Sequence, residues 1–121
     1  MILAIVGSSK VHDIPAVERL VWGVLQRHAP SVVVSGGADG VDTIAVKVAE
    51  ENNIPTVVLR PQLALWDSKN GAICYKQRNI MIAMCCDQLV RIASRLSKTY
   101  GSGWTRDQAA KMGKPTEEHT F

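Results

Sequence analysis

Cysteine, aromatic residues and clustered charge are all scarce in this 121-residue chain. The three cysteines, Cys74, Cys85 and Cys86, are odd in number and irregularly spaced. That argues against a disulfide framework and matches no zinc-ligand pattern. It gives the expectation of reduced thiols in a cytoplasmic protein, with no metal and no cofactor implied. One Phe, two Tyr and three Trp leave few rings for base stacking, and the formal net charge of +3 is scattered rather than gathered into a stripe. Both speak against nucleic acid as a partner. No apolar run approaches membrane-spanning length. Met1-Ile2-Leu3-Ala4-Ile5-Val6 is apolar, but Gly7 ends it. It therefore reads as a buried strand, not a leader or a membrane segment.

The chain does have enough hydrophobic residues, 46%, to build one globular core without staples. Their pattern alternates between strand and helix. Residues 2–6 and 32–35 are β-branched or aliphatic runs, and 56–59 and 89–93 read as two further strands. Between them, residues 15–28 place Val17, Leu20, Val21, Val24 and Leu25 on one helical face, with Asp13 as cap and Pro15 in the first turn. Residues 42–53, 73–86 and 104–112 supply three more helical stretches, the last stopped by Gly113. The implied fold is α/β. A single three-layer, Rossmann-like domain holds a small, mostly parallel sheet of four to five strands, with helices on both faces. The domain is expected over residues 1–115, with 116–121 as a polar tail.

In such a fold, right-handed crossovers bring every strand-to-helix loop to the carboxyl edge of the sheet, where ligands bind. Three loops of small residues should meet there: Gly7-Ser8-Ser9, Gly36-Gly37-Ala38-Asp39-Gly40-Val41-Asp42, and Gly101-Ser102-Gly103 leading to Thr105 and Asp107. Gly36, Gly37 and Gly40 allow close backbone approach and positive φ, the makings of an anion cradle at a helix N-terminus. Asp42 would repel a phosphate set directly on that helix end, so it reads as a helix cap or a partner for a ribose hydroxyl. Asp39 reads as facing solvent. Arg78 is either a surface arginine or a guanidinium clamp on phosphate or carboxylate, and Asn79 a partner for a base or for a loop. Ser102 and Thr105 either cap the last helix or bind phosphate oxygens. Asp107 either favours a helix N-terminus or sits beside a sugar as an acid/base group. The loose stretch over residues 60–71 contains Trp66, which either stacks on a base or packs inward. His12 could reach the edge of the site, and His28 suits a helix C-terminus.

The ordered set of Gly7-Ser8-Ser9, Ser35-Gly36-Gly37-Ala38-Asp39-Gly40-Val41-Asp42, Gln77-Arg78-Asn79 and Gly101-Ser102-Gly103-Trp104-Thr105 resembles the SLOG superfamily. This Rossmann-like group includes the LOG proteins and DprA, and the match looks nearest to its small bacterial and phage branch of YspA-like proteins. The resemblance covers residues 2 to about 114. It implies binding of a nucleotide or nucleotide-derived ligand, such as a nucleoside monophosphate, ADP-ribose or an NAD-related compound, as sensor or sequestering protein. LOG members release the base from nucleoside monophosphates with an arginine that Arg78 matches and a glutamate whose place falls on Asp107. Two residues depart from that pattern: Gln108 stands where a second acidic residue is common, and Trp104 replaces a loop glycine. An N-glycosidic hydrolase with Arg78 and Asp107 as catalytic residues is thus the second reading, and a DprA-like DNA-binding protein the third. The family usually continues Gly-Lys-Pro into an apolar strand, whereas Thr116-Glu117-Glu118-His119-Thr120-Phe121 follows here. A fifth strand is expected to be absent or very short, leaving an open sheet edge that a homodimer or higher homo-oligomer would cover.

Overall fold

The computed structural model describes residues 1–62, 71–97 and 101–121. Strands and helices alternate from end to end: β1 (Ile2–Gly7), α1 (Ile14–His28), β2 (Val32–Ser35), α2 (Val41–Glu51), β3 (Thr56–Val58), α3 (Gly71–Cys85), β4 (Gln88–Ala93), α4 (Gly101–Lys111) and β5 (Thr116–Thr120). The five strands form one all-parallel sheet in the order β3-β2-β1-β4-β5.

β1 lies at the centre because both of its faces are apolar. Leu3 and Ile5 join Val17, Val21 and Val24 of α1 and Ile44 and Val48 of α2 in one core. Ala4 and Val6 face the other way, onto Ile82, Ala83 and Ala109 of α3 and α4. Leu3 and Ile5 are fully buried, and truncating either to Ala should cost about 2–5 kcal/mol. α1 starts as its sequence indicates. Asp13 accepts a hydrogen bond from the Ala16 amide, Pro15 occupies the first turn, and Arg27 and His28 fall in the last.

Two expectations need correction. Residues 116–121 are not a polar tail, because β5 pairs in parallel with β4 along its whole length, from Leu89↔Thr116 to Ala93↔Thr120. Polar residues build this strand because its two faces find opposite charges. Glu117 receives both Arg27 Nη1 (2.8 Å) and Nη2 (2.7 Å), and it also meets His28 (3.1 Å) and His119 (2.6 Å). Glu118 faces the other side, where it binds Arg91 (2.6 Å) and Arg106. The open edge therefore belongs to β5 and not to β4, which removes the argument for a homodimer that began from a missing strand. Second, Gly101-Ser102-Gly103 is not a loop: all three residues lie in α4.

Candidate functional site

The first two loops do converge at the carboxyl edge, tied by backbone bonds. Ser8 N–H donates to the Ile92 carbonyl (3.1 Å), the Ser8 carbonyl accepts from Val41 N–H (3.0 Å), and Ser8 Oγ accepts from Ser94 N–H (2.7 Å). Ser8 is thus wholly buried and structural. Gly40 sits at φ +83°, and a Cβ there would strike the Ser8 and Ser9 carbonyl oxygens. Glycine is required where these two loops cross.

Asp42 is buried at the second position of α2 and does not cap it; the cap position belongs to Gly40. Its carboxylate reaches back to the Gly36 amide (3.2 Å) and the Ala38 amide (3.4 Å). The amides expected to cradle a phosphate are therefore already turned to a carboxylate of the chain itself. Both bonds are long, and burial dominates: it pushes the Asp42 carboxyl up to about 6 against the opposing pull of the Ala38 amide and the Arg78 charge.

Arg78 is also buried. Cys74, Arg78 and Ile82 recur every four residues on the inner face of α3, so this arginine sits in a core stripe. Its Nη1 donates to the Gly36 carbonyl and, at 3.4 Å, to that of Leu59, while Nε donates to Asn79 Oδ1 (2.7 Å). The Tyr75 ring lies 5.7 Å from its guanidinium carbon. Burial lowers the Arg78 pKa, and Asp42 opposes that shift. Gly36 lies between the two charges: a Cβ there would come 2.8 Å from Arg78 Nη1 and 2.9 Å from Asp42 Oδ2.

Around this pair opens a cleft of about 360 Å³. Gly7, Ser9 and Ala38 form one wall, and Arg78, Asn79 and Ile82 another. Gly101, Ser102 and Thr105 of α4 close it, with Asp42 and Val6 between. The buried carboxylate accepts hydroxyl donors, Arg78 offers a cation, and the N-terminal end of α4 brings the positive end of its dipole. Thr105 Oγ1 donates to the Gly101 carbonyl (2.8 Å), and Ser102 Oγ accepts from Arg91 Nε (3.0 Å). That combination suits an anionic, hydroxyl-bearing molecule.

Several expected site residues stand apart from the cleft. Ser8, Gly36, Gly37 and Gly40 support it without lining it, and Gly103 packs over Arg91. Asp107 does not face it. Asp107 lies in α4 about 200° around the helix from buried Thr105. Its side chain is 58% exposed and pairs with Arg106 (3.1 Å). Trp104 lies under Lys76, whose Nζ is 5.9 Å from its ring. His12 stacks on Phe121 (5.2 Å) and does not line the cleft, and His28 belongs to the Glu117 cluster. Trp66 lies outside the described residues. Arg60 was not singled out from sequence, yet a Cβ on Gly37 would fall 3.1 Å from its Nη1. Its place just past β3, at the carboxyl edge, was the available signal.

Comparisons with known proteins agree with this architecture. The model of the YspA, cpYpsA-related SLOG family matches residues 1–66, more than half of the chain. Two solved structures share the fold. The X-ray structure of DNA processing protein A (DprA) from Streptococcus pneumoniae has a TM-score of 0.71 and 23% identity, covering 96% of this chain and 49% of that one. DNA processing protein A from Helicobacter pylori, described for its single-stranded DNA binding mode, has a TM-score of 0.69 and 22% identity, covering 98% and 64%. The chain thus spans about half of the first protein and less than two thirds of the second. No curated protein matches its sequence. Among the described residues, no helix is long and apolar enough to cross a membrane.

Proposed function

The chain belongs to the YspA, cpYpsA-related SLOG family, and on that premise we propose that it binds a nucleotide or nucleotide-derived ligand in the cleft at the carboxyl edge of the sheet, as a sensor or sequestering protein. One observation carries the reading: a buried carboxylate and a buried guanidinium, Asp42 and Arg78, are held on either side of Gly36 at the wall of the cleft. Arg78 and the α4 N-terminus favour the phosphate. Asp42 favours the ribose hydroxyls and keeps phosphate away from the α2 end. Ser9 and Asn79 add neutral polar groups.

Hydrolysis of an N-glycosidic bond has less support. Asp107, which the LOG pattern would make the acid, points to solvent against Arg106. A second reading has a specific observation behind it. The Helicobacter pylori structure concerns single-stranded DNA binding, and Arg91, Arg95 and Arg106 gather around β5 through Glu118 and Thr120.

Calorimetric titration with AMP, ADP-ribose, NAD and a single-stranded oligonucleotide separates these readings, with mass spectrometry for free base. Saturable binding of a small nucleotide recovered intact supports the binder. Released base would restore the hydrolase. Binding of the oligonucleotide alone would replace both with the DNA reading.

A further inference from the structure

A second cleft, of about 460 Å³, opens beside the first, and the two share one residue, Arg78. Their linings differ in balance. The first sets three hydroxyls, an amide and the Asp42 carboxylate among Val6, Ala38 and Ile82. The second is walled by Val58, Leu59, Pro61, Ile80 and Met81, with polar groups restricted to Arg60, Gln62, Gln77 and the shared guanidinium. Both lie on the α3 side of the sheet, the first against β1 and the second against the end of β3. β1 and β3 are two sheet positions apart, about 10 Å. One molecule with a polar, charged half and a flat, apolar half can therefore occupy both clefts and cross at Arg78.

We propose that the second cleft is the base-recognition subsite of the ligand whose ribose and phosphate occupy the first, and that Gln62 and Gln77 select the base. This rests on the nucleotide reading above. A nucleobase needs apolar surface for its faces and a few donors and acceptors for its edge. Two carboxamides carry both donors and acceptors without charge, which suits an edge that mixes the two. Arg60 lines the same cleft as Arg78, and a Cβ on Gly37 would fall 3.1 Å from its Nη1.

The test is a pair of titrations with two probes, AMP and ribose 5-phosphate, on the intact chain. The wild-type protein should bind AMP at least about tenfold more tightly than ribose 5-phosphate, the difference being the base. Met81→Trp, on the exposed side of α3, fills the second cleft. It should bring AMP down to the affinity of ribose 5-phosphate and leave ribose 5-phosphate unchanged. Gln77→Ala, at an exposed helix position, should weaken AMP alone by about threefold to tenfold, and it decides the matter should the tryptophan variant not fold. Equal wild-type affinity for the two probes overturns the subsite and leaves nucleotide binding standing. So does AMP binding that is unchanged or tighter in Met81→Trp or, should that variant not fold, unchanged in Gln77→Ala. Failure of both probes to bind the wild-type protein overturns both proposals.

Discussion

Two carboxylate–arginine clusters stand at opposite ends of this protein's electrostatic range. At β5, Glu117 is gripped by Arg27 in a two-point bond and by two histidines, and those hydrogen bonds, the Arg27 pair foremost, hold its carboxyl well below the usual range. At the carboxyl edge, Asp42 has long bonds from the Gly36 and Ala38 amides and a guanidinium across Gly36, and burial pushes it up to about 6. The first cluster is satisfied by its own partners and fastens a strand. The second keeps a charge that the fold only partly compensates, and it does so on the wall of a cleft. A group held in that state is a candidate for meeting a ligand, whereas a saturated one is not.

The comparison is broken most severely at Gly36. Gly36→Val places a branched side chain between Arg78 and Asp42, and separating a buried pair of charges costs about 3 kcal/mol. The melting temperature should fall by roughly 10 °C and nucleotide binding should disappear. Near-native melting with normal binding would show that the two charges need no clear path between them.

The opposite titration behaviour sharpens the contrast. The folded chain keeps the Asp42 proton up to about pH 6, whereas the unfolded chain loses it near 3.8. Stability from this group is complete below 3.8 and is lost as pH rises towards 6, a fall on the order of 3 kcal/mol. Glu117 has the reverse sign: its contribution is present above 4.5 and is lost as pH falls below that value. Chemical denaturation between about pH 3.5 and 6.5, which covers the Asp42 window and the upper part of the Glu117 window, should show Asp42→Asn flattening the upper part of the curve and Glu117→Gln the lower. Superimposable curves for wild type and Asp42→Asn would remove the desolvated carboxylate from the account.

Glu117→Ala should have a smaller effect, about 1 kcal/mol, since the cluster is partly open to water. Hydrogen exchange should show β5 losing protection, while ligand affinity stays unchanged. The smallest effect is expected of Asp107→Asn, which should leave affinity within about twofold because the residue faces solvent. A large loss there would return Asp107 to the site.

The same contrast explains what could be read in the sequence. Four strands and four helices were legible because apolar spacing declares them. β5 was not, because its stabilisation comes from Arg27, Arg91 and Arg106, residues far away in the chain whose pairing no local pattern announces. The meeting of the small-residue loops followed from topology alone. What topology does not carry is the direction of a side chain. Asp42 turned from cap to buried acceptor because Gly40 took the cap position. Asp107 turned away from the cleft because it stands about 200° around α4 from Thr105, the residue that faces inward, and composition does not show which helix face is buried. Arg78 was half visible, since an arginine on the Cys74–Ile82 stripe has to be buried once that stripe faces the sheet.

The central claim is that Arg78, held beside Asp42, makes the cleft a nucleotide site. Titration of AMP into the wild-type protein and into Arg78→Ala, each checked for native secondary structure by circular dichroism, tests it most directly. Saturable one-to-one binding should be seen in the wild type and should weaken by about a hundredfold or more in a folded Arg78→Ala, the scale of a lost charged contact in a buried site. Equal affinity in the two proteins would contradict the account.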